Sequence, residues 1–250
     1  MSSVALIRGV VFFLYFCGIA HASSAQSRSF LPKPFTVVLT GGPCGGKTTS
    51  LPELKKHLED LGYKVYTVPE SATLLQVGGV ERLALCQDED YIAFQTSILD
   101  VQMNLEENFR RMADVCRRRS VLLLDRGALD PKGYISRSLW QQVLHRCNLS
   151  EEDLIKRYDL VVHLVSTANG AEEYYGSHTN HIRVESLEDS RKQDLKELQS
   201  WSAHPRRVII DNSTGWGAKM ERAAQAIKEN LEVLEVEMMA DEFSSGAEDY

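Results

Sequence analysis

The sequence Gly41-Gly-Pro-Cys-Gly-Gly-Lys-Thr-Thr49 follows a β-branched run, Phe35–Thr40, and precedes a helical pattern that continues to about Asp60. It matches G-x-x-x-x-G-K-[ST] at every fixed position, in the strand–turn–helix context in which that pattern binds phosphate. The glycines allow successive N–H groups to converge on phosphate oxygens, and the dipole of the following helix favours the same negative charge. The stretch therefore predicts a phosphate-binding loop (P-loop); the alternative is a glycine-rich turn without a ligand.

Every residue of this loop is a candidate nucleotide contact. The candidates are Gly41, Gly42, Pro43, Cys44, Gly45, Gly46, Lys47, Thr48 and Thr49. Lys47 would reach the outer phosphates, and the Thr48 hydroxyl would bind the Mg²⁺ ion that accompanies them. The sequence therefore predicts a purine nucleotide, GTP or ATP, as ligand and Mg²⁺ as cofactor.

Apolar and β-branched runs alternate with helical patterns along the rest of the chain. The predicted strands are Phe35–Thr40, Lys64–Val68, Ser120–Leu124, Leu160–Val165 and Arg207–Asp211. Such alternation, with inner strands that are apolar throughout, is typical of a parallel sheet covered by helices on both faces. The predicted fold is thus α/β, a doubly wound parallel β-sheet of the kinase-like P-loop NTPase type, with a lid insertion before the last strand.

The longest helical pattern extends from about Asp88 to Arg118, and its apolar residues recur every three or four positions. This spacing predicts one buried face. Its predicted members are Phe94, Ile98, Val101, Leu105, Phe109 and Met112. Further along, Ser150-Glu-Glu-Asp153 predicts a capping box that begins another helix.

Charged residues follow two of the predicted strands, at the edge of a parallel sheet where ligands bind. Asp125 follows Ser120–Leu124 and is a candidate Mg²⁺ ligand, or else a cap or turn residue. Arg126 would stabilise charge on a transferred phosphoryl group, or would pair with Asp125 or Glu70. Glu70 follows Lys64–Val68 and is a candidate catalytic base for an acceptor hydroxyl, or an acid favoured by a helix dipole.

The polar segment 166–206, before the last strand, is the predicted lid. Arg183 and Arg191 are its candidate catalytic arginines for the γ-phosphate, and a solvated helix pair without such an arginine is the alternative. After the last strand, Asn212 and Ser213 are candidates to contact the purine ring, or else a turn and helix cap.

The composition fits one domain with tails. The chain has 250 residues, 43% of them hydrophobic, and a formal net charge of −7, which argues against nucleic-acid binding. Residues 35–230 form the predicted P-loop domain, and residues 231–250 form a predicted acidic tail.

Residues 1–25 form a predicted signal-like leader, because Arg8 precedes a short apolar run, Gly9–Ala20, and small residues follow it. Secretory or organellar targeting competes with a misassigned start upstream of a cytosolic protein. The cysteines outside the leader form no metal-binding or disulfide pattern and favour a reducing compartment. The localisation therefore stays open.

The chain from Phe35 to about Asn230 resembles the AAA-type P-loop domain shared by TRPL translocation defect proteins and the kinase part of bacterial ribosylnicotinamide kinase/regulator proteins. The resemblance rests on Thr40–Thr49, Val68–Ser71, Phe94-Gln95 with Gln102, Asp125–Gly127, Arg183–Glu185 and Asp211–Thr214. It implies binding of guanine or adenine nucleotides. It also links the translocation-defect group to acidic phospholipids, but there a CYTH-like domain follows the P-loop domain, and residues 231–250 are too few to form one.

Two functions are compatible with these residues. The first is a regulatory module that binds GTP with little or no turnover. The second is a small-molecule kinase that transfers the γ-phosphoryl group to the hydroxyl of a nucleoside-like acceptor, with Glu70 or Asp125 as the base. The sequence contains no N-K-x-D motif, so a preference for guanine rests on the resemblance alone.

Overall fold

The structure, a computed structural model, describes residues 33–81, 85–175 and 186–245. The predicted leader lies outside these ranges, as does Arg183. Within them, no helix is both long enough and apolar enough to span a bilayer.

The centre of the fold is a parallel sheet of five strands in the order β2-β3-β1-β4-β5. The strands are β1 (Phe35–Thr40), β2 (Lys64–Val68), β3 (Ser120–Asp125), β4 (Leu160–Leu164) and β5 (Arg207–Ile210). All five predicted strands are confirmed, with ends that differ by at most one residue. The P-loop strand β1 lies in the middle, so that β3 flanks it on one side and β4 on the other.

Helices connect the strands and cover both faces of the sheet. They are α1 (Lys47–Asp60), α2 (Ser71–Val77), α3 (Asp88–Cys116), α4 (Arg137–Cys147), α5 (Glu151–Ile155), α6 (Leu187–Ser200) and α7 (Trp216–Ser245), with 3₁₀ turns at Asp130–Tyr134 and Glu172–Tyr174. The predicted capping box begins α5, where the Ser150 hydroxyl accepts a hydrogen bond from the Asp153 amide at 3.1 Å.

The two faces of the sheet form separate apolar cores because successive side chains of a strand point in opposite directions. Val37 and Leu39 of β1 pack with α1 and α7, and Val38 packs on the opposite face with α3, α4 and α5. All three side chains are fully buried. The predicted doubly wound α/β fold of the P-loop NTPase type is therefore confirmed.

The buried face of α3 differs from the predicted one. Met112, assigned to that face from the sequence, is 56% exposed, whereas Gln95, Gln102 and Glu106 are buried. Gln102 accepts a hydrogen bond from the Ser71 hydroxyl and donates one to Glu106 at 3.0 Å. Because these polar groups have partners inside the protein, burying them costs far less than burying them alone.

The last helix continues through the beginning of the predicted acidic tail. Helix α7 extends to Ser245, and Leu231 and Leu234 are buried in the core that it forms with α1. The helix therefore passes the predicted domain boundary at residue 231 without a break.

Candidate functional site

The P-loop lies between β1 and α1 and is shaped by two glycines. Gly46 has φ +87° and is the residue before α1, while Gly41 has φ +133° and lies against β4. A Cβ on Gly41 would lie 2.2 Å from the carbonyl oxygen of Leu164, so no larger residue fits there. Only glycine combines these backbone angles with such a close approach.

Lys47 is buried and folds back over its own loop. Its Nζ donates hydrogen bonds to the carbonyl oxygens of Gly41 and Gly42, the latter at 2.9 Å. Burial lowers the pKa of Lys47, and the charge of Arg126 lowers it further. The carboxylates of Glu197, Asp125 and Glu70 act in the opposite direction. The side chain of Lys47 thus crosses the loop, and its ammonium group lies against the loop carbonyls.

Thr48 and Asp125 are in direct contact. Pairing of β1 with β3 brings Asp125 level with Leu39, and the Thr48 hydroxyl donates a hydrogen bond to Asp125 Oδ2 at 2.6 Å. Asp125 Oδ1 is buried and has no hydrogen-bond partner among the described residues. Burial raises the pKa of Asp125, against the hydrogen bond from Thr48.

A hydroxyl and a carboxylate are the hard oxygen donors that Mg²⁺ prefers. In the described ranges, no group of three or more His, Cys, Asp or Glu side chains could hold a metal by itself. Thr48 and Asp125 therefore fit a Mg²⁺ ion that also depends on phosphate oxygens and water. Such an ion would supply charge stabilisation for the phosphates.

Arg126 is the centre of a buried ion-pair network next to the P-loop. Its Nε lies 2.6 Å from Glu70 Oε1, and its Nη1 lies 2.8 Å from Glu197 Oε2. Glu197 also accepts a hydrogen bond from the Tyr134 hydroxyl at 2.5 Å. Burial would raise the pKa of Glu70, but the charge of Arg126 and a hydrogen bond from Thr73 outweigh it, so the pKa is lowered. The sequence left two roles open for Arg126, contact with a phosphoryl group or pairing with Asp125 or Glu70. The structure shows the pair with Glu70.

Helix α6 contacts the P-loop through a residue that sequence analysis missed. Asp194 Oδ1 accepts hydrogen bonds from the amides of Gly42 at 2.6 Å and Ser166 at 3.2 Å, and lies 3.1 Å from His163 Nε2. Asp194 and Glu197 are 7% and 0% exposed. They share one helix face with Ser190 and Trp201, at spacings of three or four residues, but most of this pattern is polar and the apolar periodicity used above does not detect it.

The described candidate of the predicted lid, Arg191, lies beside the turn after β4. Its guanidinium donates to the carbonyl of Ala168 and to Glu172, the latter at 2.7 Å. Neither contact is with the P-loop.

Asn212 and Ser213 both make local hydrogen bonds. The Asn212 amide nitrogen donates to the carbonyls of Ser166 and Asn169, each at 2.8 Å, and its oxygen accepts from Lys219 at 2.7 Å. The Ser213 hydroxyl donates to Asp211 at 2.6 Å. These polar groups build the turn after β5, next to the end of β4.

Together, a glycine-rich loop after the central strand, a lysine and a threonine on the first turn of α1 and a carboxylate at the end of the adjacent strand define a P-loop nucleotide-binding domain. The predicted AAA-type resemblance is confirmed by a family model. The chain belongs to the AAA_28 family, whose model is described as an AAA domain and matches residues 36–219.

A solved structure with a similar fold is described as the "Crystal structure of NadR protein in complex with NAD and AMP-PNP". The two chains are 17% identical, with a TM-score of 0.52 over 79% of this chain and 49% of the other. The chain therefore spans about half the length of that protein, and the likeness at this identity shows the fold. No curated protein matches the chain.

Proposed function

We propose that this protein binds a purine nucleoside triphosphate, GTP or ATP, together with Mg²⁺, and acts as a regulatory nucleotide-binding module. One observation carries the proposal: the hydroxyl of Thr48, on the first turn of α1 directly after the P-loop, lies 2.6 Å from Oδ2 of Asp125, the residue that ends β3. Lys47 lies across the same loop. The groups that would bind the outer phosphates and their metal ion thus lie close together at the P-loop.

The second oxygen of Asp125 supports the metal part of the proposal. A buried acceptor without a hydrogen bond costs about 1–3 kcal/mol. Asp125 Oδ1 is such an acceptor among the described residues. A Mg²⁺ ion, or a water molecule bound to it, would remove this cost, and its affinity for the site would be greatest with phosphate present.

The state of Glu70 supports a regulatory role. A general base works best when its pKa lies near the working pH. Glu70 instead has a lowered pKa and is held by Arg126 at 2.6 Å. A carboxylate in this state accepts a proton poorly, which argues against Glu70 as the base of a phosphoryl transfer.

The metal dependence gives the test. We expect Asp125→Asn to weaken binding of GTP and ATP in the presence of Mg²⁺ by about tenfold, the lower end of the range for one interaction with a charged group. In EDTA the variant and the wild type should bind alike, because the carboxylate acts through the metal. Isothermal titration calorimetry with and without Mg²⁺ measures both quantities.

Asp114→Asn is the matched control, because Asp114 is exposed on α3. It should bind nucleotide like the wild type under both conditions. If Asp125→Asn, folded by circular dichroism, keeps wild-type affinity in Mg²⁺, Asp125 is not a metal ligand.

A kinase is the second candidate, and one observation favours it. Arg126 and Glu70 form an ion pair whose charges both influence Lys47, so a carboxylate and a guanidinium lie near the predicted position of the γ-phosphate. In that function the acceptor hydroxyl oxygen would bond to the γ-phosphorus as the bond to the β–γ bridging oxygen breaks. The hydroxyl proton would pass to Glu70, and the nucleoside diphosphate would leave.

Glu70→Gln distinguishes the two functions. We expect the wild type, incubated with ATP or GTP and a panel of nucleosides, to yield no phosphorylated product by mass spectrometry, and Glu70→Gln to bind nucleotide like the wild type. A phosphorylated nucleoside made by the wild type would establish the kinase instead, and its loss in Glu70→Gln would identify Glu70 as the base.

A further inference from the structure

The strand order determines the direction in which a bound nucleotide would lie. In a P-loop, the residues that would hold Mg²⁺ lie beside the outer phosphates. One of these residues, Asp125, ends β3, on one side of β1. The γ-phosphate end would therefore point toward β3, and the nucleoside end toward β4 and β5 on the other side. The turn after β5 and the start of α7 are located there.

Trp216, the first residue of α7, contacts the P-loop residue Gly46 on this side of β1. A Cβ on Gly46 would lie 2.5 Å from Cζ3 and 2.7 Å from Cη2 of Trp216, so the indole packs directly against the glycine. Trp216 is nevertheless 42% exposed, whereas Trp140 and Trp201 are 0% and 1% exposed. Thr48 and Thr49, which follow Gly46 on the first turn of α1, are exposed as well.

Two polar side chains near the start of α7, Lys219 and Asn212, already make hydrogen bonds within the protein. Lys219 Nζ donates to the carbonyl of Val165 at 2.9 Å and to Asn212 Oδ1 at 2.7 Å, and it is 3% exposed. The amide nitrogen of Asn212 is bound to backbone carbonyls. Because Lys219 and Asn212 are engaged in this way, the exposed indole of Trp216 is left as a described surface that a base could contact.

We infer that Trp216 is the base platform of the site: the purine ring of the bound nucleotide stacks on its exposed indole face. This inference rests on the proposed nucleotide binding and extends it to the choice between adenine and guanine. Stacking accepts any base with a π-face and does not read its hydrogen-bonding edge. The site consequently accepts ATP and GTP with affinities within about threefold of each other, since a stacked base contributes through its ring.

Calorimetry on Trp216 variants of the full chain tests the inference, with ATP, GTP and inorganic tripolyphosphate as the probes. Trp216→Ala weakens the binding of ATP and GTP by about 30-fold, the middle of the range for one base stacked on an aromatic ring, and leaves the binding of tripolyphosphate unchanged. Trp216→Phe retains most of the affinity because it retains a ring. Val233→Ala, at a 52% exposed position of the same helix, is the control and binds all three like the wild type.

Tryptophan fluorescence gives a second measurement that does not depend on the alanine variant folding. ATP quenches the emission of the wild type, and Trp216→Phe, which keeps the two buried tryptophans, shows no quenching. Equal ATP affinity in the wild type and a folded Trp216→Ala variant, or equal quenching in Trp216→Phe, overturns the base platform alone. A wild type that binds neither nucleotide overturns the proposed function and this inference with it.

Discussion

Replacing Arg126 with alanine is expected to lower the free energy of unfolding by about 3–5 kcal/mol, the range for removing one partner of a buried ion pair. The side chain of Arg126 is 15% exposed, and its partner Glu197 is 0% exposed. Without the guanidinium, the buried carboxylate of Glu197 has only the neutral hydrogen-bond donors Tyr134 and Gln193 among the described residues. Asp130, 2% exposed and 3.6 Å from the guanidinium, loses an ion pair too. Glu70, 25% exposed, also loses its ion pair but is partly solvated, so the two buried carboxylates account for most of the loss.

Urea unfolding followed by circular dichroism measures this loss. Arg146→Ala is the matched control, because Arg146 pairs with Glu89 at 2.6 Å while both side chains are exposed. Exposed ion pairs contribute about 0–1 kcal/mol, so the control should stay close to the wild type. An Arg126→Ala protein as stable as the control would show that the network does not hold α6 against the rest of the fold.

The parts of the site that sequence alone predicts are those encoded within a few residues. The P-loop is one such part, because its glycines, lysine and threonine have fixed spacing. Asp125 is another, because a fully apolar strand implies an inner position of the sheet, and the residue that ends it lies at the ligand-binding edge. Because β1 pairs with β3 in the sheet, Thr48 and Asp125 come into contact.

The parts that sequence analysis missed depend on partners far apart in the chain. Asp194 binds the amide of Gly42, 152 positions away, and Glu197 binds Arg126, 71 positions away. Periodicity detects apolar faces, so a helix that buries carboxylates looks like a solvated one until its partners are known. The same reason explains α3, where Gln102 and Glu106 occupy buried positions.

Lys47→Ala is expected to weaken binding of GTP and ATP by about 10- to 150-fold, which corresponds to about 1.5–3 kcal/mol for a hydrogen bond to a charged group. Lys47 is buried, with Nζ bonded only to loop carbonyls in the contacts described above. Phosphate oxygens would replace these neutral acceptors with charged ones, and the low polarity of the surroundings would strengthen the interaction. Calorimetry in Mg²⁺ measures the loss for each nucleotide.

Two features separate loss of this contact from loss of the fold. Lys56→Ala removes an exposed lysine of the same helix, paired with Asp60 at 2.6 Å, and should leave the affinity unchanged. Lys47→Ala itself should remain folded by circular dichroism, because the unfavourable burial of the Lys47 charge, which lowers its pKa, offsets part of the loss of its hydrogen bonds to the loop carbonyls. A folded Lys47→Ala variant that binds both nucleotides like the wild type would contradict the proposed nucleotide site. The glycine-rich loop would then be a turn without a phosphate ligand.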